Sequence, residues 1–258
     1  MKESQSTLLH AVTELSQAAG ATAMQWFGRT IAVDTKLDGS PVTIADRSAE
    51  EFARAWISER FPDDGVIGEE FPPLRPDAAR QWIIDPIDGT KAFVRGVPLW
   101  GTLVGVCEGE RVLAGAACFP AVNEVVSAAP GEGCWWNGAR ASVSAIGLLE
   151  QATVLVTDDR FPEHAERGAR WHALAASSGV ARTWGDCYGY LMVATGRAEV
   201  MVDDIVNPWD AAALKPIIEE AGGVFTDWKG MHTAFGGDLI ATNAALSDAV
   251  RARLLDAR

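Results

Sequence analysis

The sequence predicts a layered fold that combines an α+β first half with an α/β second half. Two stretches near the N-terminus carry apolar residues at helical spacing. Short apolar runs follow, and the turns between them are too short to contain crossover helices, which indicates a mostly antiparallel sheet. After about residue 146, strand-like and helix-like segments alternate.

The first half, residues 1–145, is predicted to contain two helices followed by the sheet. Helical spacing runs from residue 6 to residue 27, where Gly28 follows as a stop signal. A second helix is predicted over 44–60, because Thr43 and Asp46 resemble a capping box at its start. The predicted strands lie at 66–67, 82–84, 99–107, 112–118 and 124–128.

The second half, residues 146–258, is predicted to complete the site. No linker rich in Pro, Gly or Ser separates the halves, so we expect two packed lobes with the site between them. The predicted strands lie at 153–157, 180–183, 199–202, 224–225 and 239–240, and the helices at 162–177, 208–221 and 244–255, with a further element over 188–195.

Composition excludes several classes of function. The chain has 258 residues, 48% of them hydrophobic and 22% charged, which is typical of a globular protein. Its net charge of −13 would repel nucleic acid and attract a cationic small molecule. Without a signal-peptide pattern or an apolar run of about 18 residues, we expect a cytoplasmic protein that does not enter membranes. The spacing of its Cys and His residues fits neither a zinc cluster nor a disulfide framework.

An apolar strand runs directly into two carboxylates in the segment 82–90, WIIDPIDGT. Unpaired buried charge is costly, so two acids at a strand end indicate a bound cation. Pro86 bends the chain and leaves the carbonyl of Ile87 outside the sheet pairing. Asp85, the Ile87 carbonyl and Asp88 then offer three hard oxygen donors, which is the ligand type that Mg²⁺ prefers.

Neighbouring residues extend this predicted magnesium site. Gly89 and Thr90 begin a short helical turn, whose backbone amides would bind phosphate beside the metal. Glu69 and Glu70 alone are typical of exposed loop acids, but their place after a second predicted strand favours one of them reaching the same cleft. Asp210 lies in the first turn of the helix predicted over 208–221, where an acid also serves as a cap, so the residues alone leave capping and metal binding open.

Three motifs in order along the chain carry a family resemblance: GEE at 68–70, WIIDPIDGT at 82–90 and PWDAAALKPIIEEAGG at 208–223. With the segment 36–43 leading into Asp46, they resemble the inositol monophosphatase-like family of Mg²⁺-dependent phosphatases, which shares its fold with fructose bisphosphatases. The resemblance covers nearly the whole chain. It implies a sandwich of αβαβα layers, a homodimer and a phosphate monoester as the substrate.

The resemblance also implies roles for individual residues. It assigns two or three Mg²⁺ ions to Glu69, Asp85, the Ile87 carbonyl, Asp88 and Asp210, with Asp85 bridging two of them. Thr90, with Glu69, would orient and help to deprotonate the attacking water, and no phosphoenzyme would form. Contacts to the substrate are implied for Asp88, Gly89, Thr90 and Asp210. Lys36 and Asp46 would support the metal cleft.

The substrate is predicted from the segment GDCYGY at 185–190, which resembles the histidinol-phosphatase branch of the family, as do 91–98 and the Asn207-Pro208 pair. Histidinol phosphate carries an ammonium and an imidazole, for which Asp186, Asp203 and Asp204 are fitting receptors. The resemblance places Asp203 at the non-phosphate end of the substrate, although Asp203 and Asp204 equally fit a turn after a strand. Arg182 either contacts the substrate or ties the lobes together.

The expected reaction is hydrolysis of L-histidinol phosphate in histidine biosynthesis, with an inositol 1-phosphatase or a broad sugar-phosphate phosphatase as the alternative. Phosphatases with an aspartate nucleophile have acids two residues apart, whereas DPID has them three apart. A non-catalytic regulator is disfavoured because every proposed ligand is present. Cys187 is predicted to be a buried thiol. Trp100, Trp184 and Trp209 fit either the core or the pocket wall.

Overall fold

The computed structural model describes residues 4–35 and 41–255. The helices in these ranges are α1 (Gln5–Met24), α2 (Ile44–Arg60), α3 (Thr90–Phe93), α4 (Ala165–Ala176), α5 (Asp186–Ala194), α6 (Pro208–Ala211), α7 (Leu214–Glu220) and α8 (Ser247–Leu254). The strands are β1 (Val33–Thr35), β2 (Pro41–Thr43), β3 (Gly65–Gly68), β4 (Gln81–Asp88), β5 (Gly101–Glu108), β6 (Arg111–Phe119), β7 (Glu124–Ala129), β8 (Gly133–Trp136), β9 (Ala139–Arg140), β10 (Thr153–Val156), β11 (Val180–Arg182), β12 (Val200–Asp203), β13 (Val224–Thr226) and β14 (Leu239–Thr242).

Two large sheets organise the chain. The first has seven strands in the order β3-β4-β5-β6-β7-β8-β9, with β3 and β4 parallel and the remaining pairs antiparallel. The second has five strands in the order β11-β10-β12-β14-β13, with β10 parallel to both of its neighbours. A hairpin of β1 and β2 precedes α2. The prediction missed β1, β2, β8 and β9.

The alternation of side chains along the strands produces five layers. Trp82 packs on one side with α1 and α2, while Ile83 packs on the other with α5, α6 and α7. Along β10, Leu155 faces these same middle helices, whereas Val154 and Val156 face α4 and α8. A strand buried on both faces carries a nearly continuous apolar run, as 82–84 in β4 and 154–156 in β10 do. The αβαβα arrangement is therefore confirmed.

The predicted helix over 208–221 is wrong in its continuity, because it is interrupted at residues 212–213. Pro216 has no N–H for the carbonyl of Ala212 and its ring crowds that carbonyl, which favours the break. At the break, Ala212 and Ala213 lie against Gly105 and Gly115, which are paired across β5 and β6. A Cβ on Gly115 would lie 2.2 Å from the Ala213 carbonyl oxygen. Glycine at this position therefore allows the chain after α6 to pack directly on the sheet.

The predicted N-terminus of the helix at 162 is also wrong, since α4 begins at Ala165. Phe161 lies just before it with a φ of 46°, in the left-handed region, and is buried against Trp228. Residues 161–164 instead form a separate turn, in which the His164 N–H donates to the Phe161 carbonyl at 3.2 Å, and helical bonding begins with the Gly168 N–H donating to the His164 carbonyl. Within the described residues, no helix is long and apolar enough to cross a membrane.

Candidate active site

The end of strand β4 is irregular where the two acids of DPID occur. Pro86 has no N–H to donate, and its carbonyl accepts from Thr102 Oγ1 at 2.8 Å. The pairing with β5 shifts between Asp85 and Asp88, and the Ile87 N–H donates to Asp85 Oδ1 at 2.9 Å. Such a bulge changes the direction of the side chains beside it, which allows both carboxylates to face one cleft.

Asp85, Asp88 and Asp210 form a carboxylate cluster, in which one oxygen from each residue lies within 4.8 Å of the others. Asp85 is buried and the other two are half-buried. Burial and then the neighbouring carboxylates raise the pKa of Asp85 and Asp88 well above the ordinary value, and burial raises that of Asp210 to about 6. Three such acids cannot all ionise without a counter-charge, and their hard oxygens suit a divalent cation.

Asp210 performs the capping role and belongs to the cluster. Its Oδ2 accepts from the Asn207 N–H at 2.6 Å, closing the capping box of α6. The same side chain is within hydrogen-bonding reach of Asp85. Capping by Asp210 is therefore confirmed, and the start of α6 also brings this acid to the end of β4, while metal binding by Asp210 stays a prediction.

Glu69 lies beyond β3, outside the 4.8 Å cluster but near it. Its charge raises the pKa of Asp85, Asp210 and Asp46, so its carboxylate is close enough to act on all three. A residue of α2 holds the segment that carries Glu69. The buried carboxylate of Glu50 accepts the backbone N–H of Glu70 at 2.7 Å. Four of the predicted ligand side chains are thus at one end of the first sheet.

The hydroxyl of Thr90 lies 3.0 Å from the Ile87 carbonyl oxygen and 3.3 Å from Asp46 Oδ1. Asp46 is fully buried, and its Oδ2 accepts the N–H and the hydroxyl of Thr43 at 2.8 and 2.6 Å. One oxygen therefore caps α2 while the other faces the site. The sequence paired Thr90 with Glu69 for handling water, whereas the structure places Asp46 beside its hydroxyl.

Gly89 connects β4 to the short helix α3. Its φ of 91° is in the left-handed region, and a Cβ there would lie 3.1 Å from the Leu99 carbonyl oxygen and 3.2 Å from Asp186 Oδ2. Glycine avoids the conformational cost and both close contacts. The predicted helical turn is confirmed, while the phosphate contacts of Gly89 and Thr90 stay a prediction.

A cavity of about 500 Å³ opens beside the cluster, and it is strongly acidic. Among the described residues, its lining includes one cationic side chain, Lys91. Seven acidic residues also line it: Asp88, Asp158, Glu163, Asp186, Asp203, Asp204 and Asp210. A cationic molecule fits this electrostatic environment better than a neutral one.

Asp186 and Asp203 are held by bonds within the cavity wall. Asp203 Oδ2 accepts from the Tyr190 hydroxyl at 2.7 Å and Oδ1 from the Thr157 N–H at 3.2 Å. The N–H of Asp186 donates to Thr157 Oγ1 at 2.8 Å. Burial raises the pKa of Asp203 to about 7 and that of Asp186 to about 6, with the charge of Lys91 opposing the latter. A cationic partner would favour the ionised form of both.

The remaining predicted positions are Arg182, Asp204 and Lys36. Arg182 is exposed at the end of the edge strand β11, where its Nη1 donates to the Ala181 carbonyl, and it does not line the described cavity. The described cavity gives no support to a contact between Arg182 and the substrate, which stays a prediction. Asp204 does line the cavity, and its Oδ2 lies 3.2 Å from His164 Nδ1. Lys36 lies outside the described residues.

Cys187 contributes its backbone to the site. Its N–H, at the start of α5, donates to Asp88 Oδ2 at 2.5 Å, which joins the two halves of the chain at the cluster. Its thiol is buried, and burial followed by the nearby Asp88 charge raises its pKa well above the ordinary value. A neutral thiol is a poor nucleophile, in agreement with the prediction.

Sequence reasoning missed Thr157 and Tyr190. Tyr190 is four residues after Asp186 on α5, a spacing that places both on one helix face, so this signal was available. Tyr188 instead packs against Phe119, with ring centroids 5.7 Å apart, and Thr157 carries no local signal.

The three tryptophans considered for the pocket wall have other positions. Trp100 is fully buried, with its ring centroid 4.8 Å from that of Phe93. Trp184 is 40% exposed, and Trp209 packs against the middle layer. None of them lines the described cavity, so the core reading holds for Trp100 and Trp209.

The raised pKa values predict that protein kept in EDTA loses stability as pH rises from about 4 towards 7. Such a carboxyl has a higher pKa in the folded than in the unfolded state. Its contribution to stability is fully present below the unfolded-state pKa and is lost as pH rises through the folded-state pKa. That folded value is about 6 for Asp210 and about 7 for Asp203. Thermal unfolding at pH 5 and pH 7 measures the trend. A melting temperature that rises from pH 5 to pH 7 in EDTA would contradict the assignment.

The chain is similar to known proteins over nearly its whole length. The profile of the inositol monophosphatase family matches residues 4–257. A histidinol-phosphatase of Chlorobaculum parvum is 44% identical over 92% of this chain and 93% of its own length. A histidinol-phosphatase of Mycobacterium tuberculosis is 36% identical over 96% of this chain and 97% of its own length. Among solved structures, the extragenic suppressor protein suhB from Bartonella henselae superposes with a TM-score of 0.90 at 26% identity, covering 96% of this chain and 98% of that one.

Proposed function

Because the chain belongs to the inositol monophosphatase family, we propose that it is a Mg²⁺-dependent enzyme that hydrolyses L-histidinol phosphate to L-histidinol and phosphate, a step of histidine biosynthesis. The two relatives described above bear the name histidinol-phosphatase and align over nearly their whole lengths. The homodimer and the cytoplasmic location expected from the sequence belong to the same proposal.

The acidic wall of the cavity is the observation that carries the choice of substrate. Asp88 and Asp210 lie at the end of the cavity formed by the carboxylate cluster, and Asp186 and Asp203 line the same space. L-Histidinol phosphate has an anionic phosphate at one end and an ammonium and an imidazole at the other. The phosphate suits the end that holds metal, and the cationic groups suit carboxylates.

The carboxylate cluster fits the two or three Mg²⁺ ions implied by the sequence. Asp85, Asp88 and Asp210 would hold them, with Glu69 and the Ile87 carbonyl as further oxygen donors. When bound, Mg²⁺ lowers the pKa of water, neutralises phosphate charge and stabilises the departing alkoxide. The raised pKa values of the cluster support this proposal, because a divalent cation removes the repulsion among the acids.

The protein's own groups would handle the proton of the attacking water. Thr90 Oγ1 can accept that proton while its own proton passes to Asp46 Oδ1, 3.3 Å away. Burial raises the pKa of Asp46, which strengthens it as a proton acceptor. At the other end, Asp186 and Asp203 would bind the amine and the imidazole, so that the phosphate is oriented towards Thr90.

Steady-state kinetics with Mg²⁺ test the proposed function. We expect kcat/KM for L-histidinol phosphate to exceed that for inositol 1-phosphate by at least about tenfold, since a site with acids placed for a cation rejects an uncharged ring. Activity should disappear in EDTA and return with Mg²⁺. A tenfold preference for inositol 1-phosphate would favour the alternative activity instead. Failure to release phosphate from any monoester would contradict the proposed phosphatase activity.

A further inference from the structure

We propose that Thr157 is a positioning residue for recognition of the amine, because it forms hydrogen bonds to both Asp186 and Asp203. This inference rests on the proposed function, since it concerns how the cationic end of the substrate is selected. Thr157 follows β10 directly, and it lines the cavity together with both acids. It has no role in the chemistry described above.

Thr157 contacts each acid through a different group. Its backbone N–H donates to Asp203 Oδ1 at 3.2 Å, and its Oγ1 accepts from the N–H of Asp186 at 2.8 Å. The first bond reaches the end of β12 and the second reaches the start of α5. Only the second depends on the side chain, so the hydroxyl can be removed without removing the bond to Asp203.

The backbone of Asp186 needs this support. Asp186 has a φ of 51°, in the left-handed region that is unfavourable for residues other than glycine. Gly185 lies so close to Thr157 that a Cβ on it would be 2.3 Å from Thr157 Cα and 2.6 Å from Oγ1. The close approach of the two backbones therefore brings the N–H of Asp186 to the hydroxyl, and that bond stabilises the left-handed conformation.

The orientation of Asp186 matters because its carboxylate lies next to the phosphate end of the site. A Cβ on Gly89 would be 3.2 Å from Asp186 Oδ2. Asp203 is meanwhile fixed on both oxygens by Thr157 and Tyr190. Loss of the Thr157 hydroxyl would let Asp186 relax towards an ordinary φ, which changes its distance from Asp203 and from Gly89. The carboxylate cluster itself makes no bond to this hydroxyl among the contacts described for Thr157.

The test is Thr157→Val, which keeps the shape and the backbone N–H but removes Oγ1. For L-histidinol phosphate we expect KM to rise about five- to tenfold, the loss typical of one hydrogen bond, with kcat changed by less than about threefold. KM for glycerol 3-phosphate, which has no amine, should change by less than about twofold, because it does not use Asp186. Thr157→Ser restores the hydroxyl and should restore KM. Thr153→Val, the same change at the other end of β10, is the matched control.

Three results would overturn the proposal: an unchanged KM in Thr157→Val, equal impairment in Thr157→Ser, or an equal rise for glycerol 3-phosphate. If thermal unfolding shows that Thr157→Val is poorly folded, the smaller Thr157→Ala must reproduce the selective rise in KM, and its failure to do so counts against Thr157. Wild-type enzyme that does not hydrolyse L-histidinol phosphate would contradict the proposed function, and the positioning role would fall with it.

Discussion

Asp88→Asn is expected to lower kcat by at least about 10³-fold, because loss of a charged ligand removes several kcal/mol of transition-state stabilisation by metal. The variant should still fold, since an asparagine amide oxygen can accept the Cys187 N–H that Asp88 Oδ2 accepts now. Initial rates over a Mg²⁺ titration measure the effect. Asp63→Asn, the same substitution at an exposed acid, should match wild type. Near-normal turnover by Asp88→Asn would contradict the ligand assignment.

The same substitution should have the opposite effect on stability without metal. Burial and the charges of Asp186 and Asp210 raise the pKa of Asp88 well above its ordinary value, so at pH 7 this carboxyl destabilises the fold. In EDTA, Asp88→Asn should therefore melt at a higher temperature than wild type. With Mg²⁺, wild type should gain more in melting temperature than the variant. A variant that is less stable in EDTA but equally stabilised by Mg²⁺ would contradict the account of the cluster.

Thr90→Val is expected to lower kcat by roughly 10²- to 10⁴-fold with little change in KM, which is the range for loss of a proton-transfer group. Valine has the shape of threonine but cannot take the proton of water or pass one to Asp46 Oδ1. Thr90→Ser keeps the hydroxyl and should retain most of the activity. Single-turnover phosphate release separates the chemical step from binding. Equal rates for the valine and serine variants would show that the hydroxyl takes no part.

The parts of the site that could be predicted depend on residues close together in the sequence. Asp85 and Asp88 lie at the end of β4, after its apolar run, and their convergence depends on this strand end and one proline. The capping box of α2 was likewise predicted from Thr43 and Asp46. In each case neighbouring residues determine the geometry, so the local pattern was sufficient.

The parts that could not be predicted depend on packing between distant segments. The contact between Thr90 and Asp46 joins residues 44 positions apart, and Asp46 already had a sufficient local explanation as a cap. Thr157 acts through bonds to residues 29 and 46 positions away. The position of Arg182 outside the described cavity lining could not be predicted for the same reason, since the place of β11 at the sheet edge follows from strand order and not from its own residues.

The break between α6 and α7 could be predicted in part. Pro216 was visible in the sequence as a residue that disturbs a helix interior. The glycine pair across β5 and β6 that receives the break was visible only as two glycines in apolar strands. Their shared function, which is to let the chain approach closely enough for Asp210 to reach Asp85, required the packed structure.

A crystal structure of the slow Thr90→Val variant with Mg²⁺ and L-histidinol phosphate tests the central claim most directly. We expect Asp85, Asp88 and Asp210 to bind Mg²⁺, with phosphate beside it and the ammonium or imidazole within hydrogen-bonding distance of Asp186 or Asp203. Metal bound away from these three carboxylates, or a substrate whose cationic end points away from Asp186 and Asp203, would contradict it.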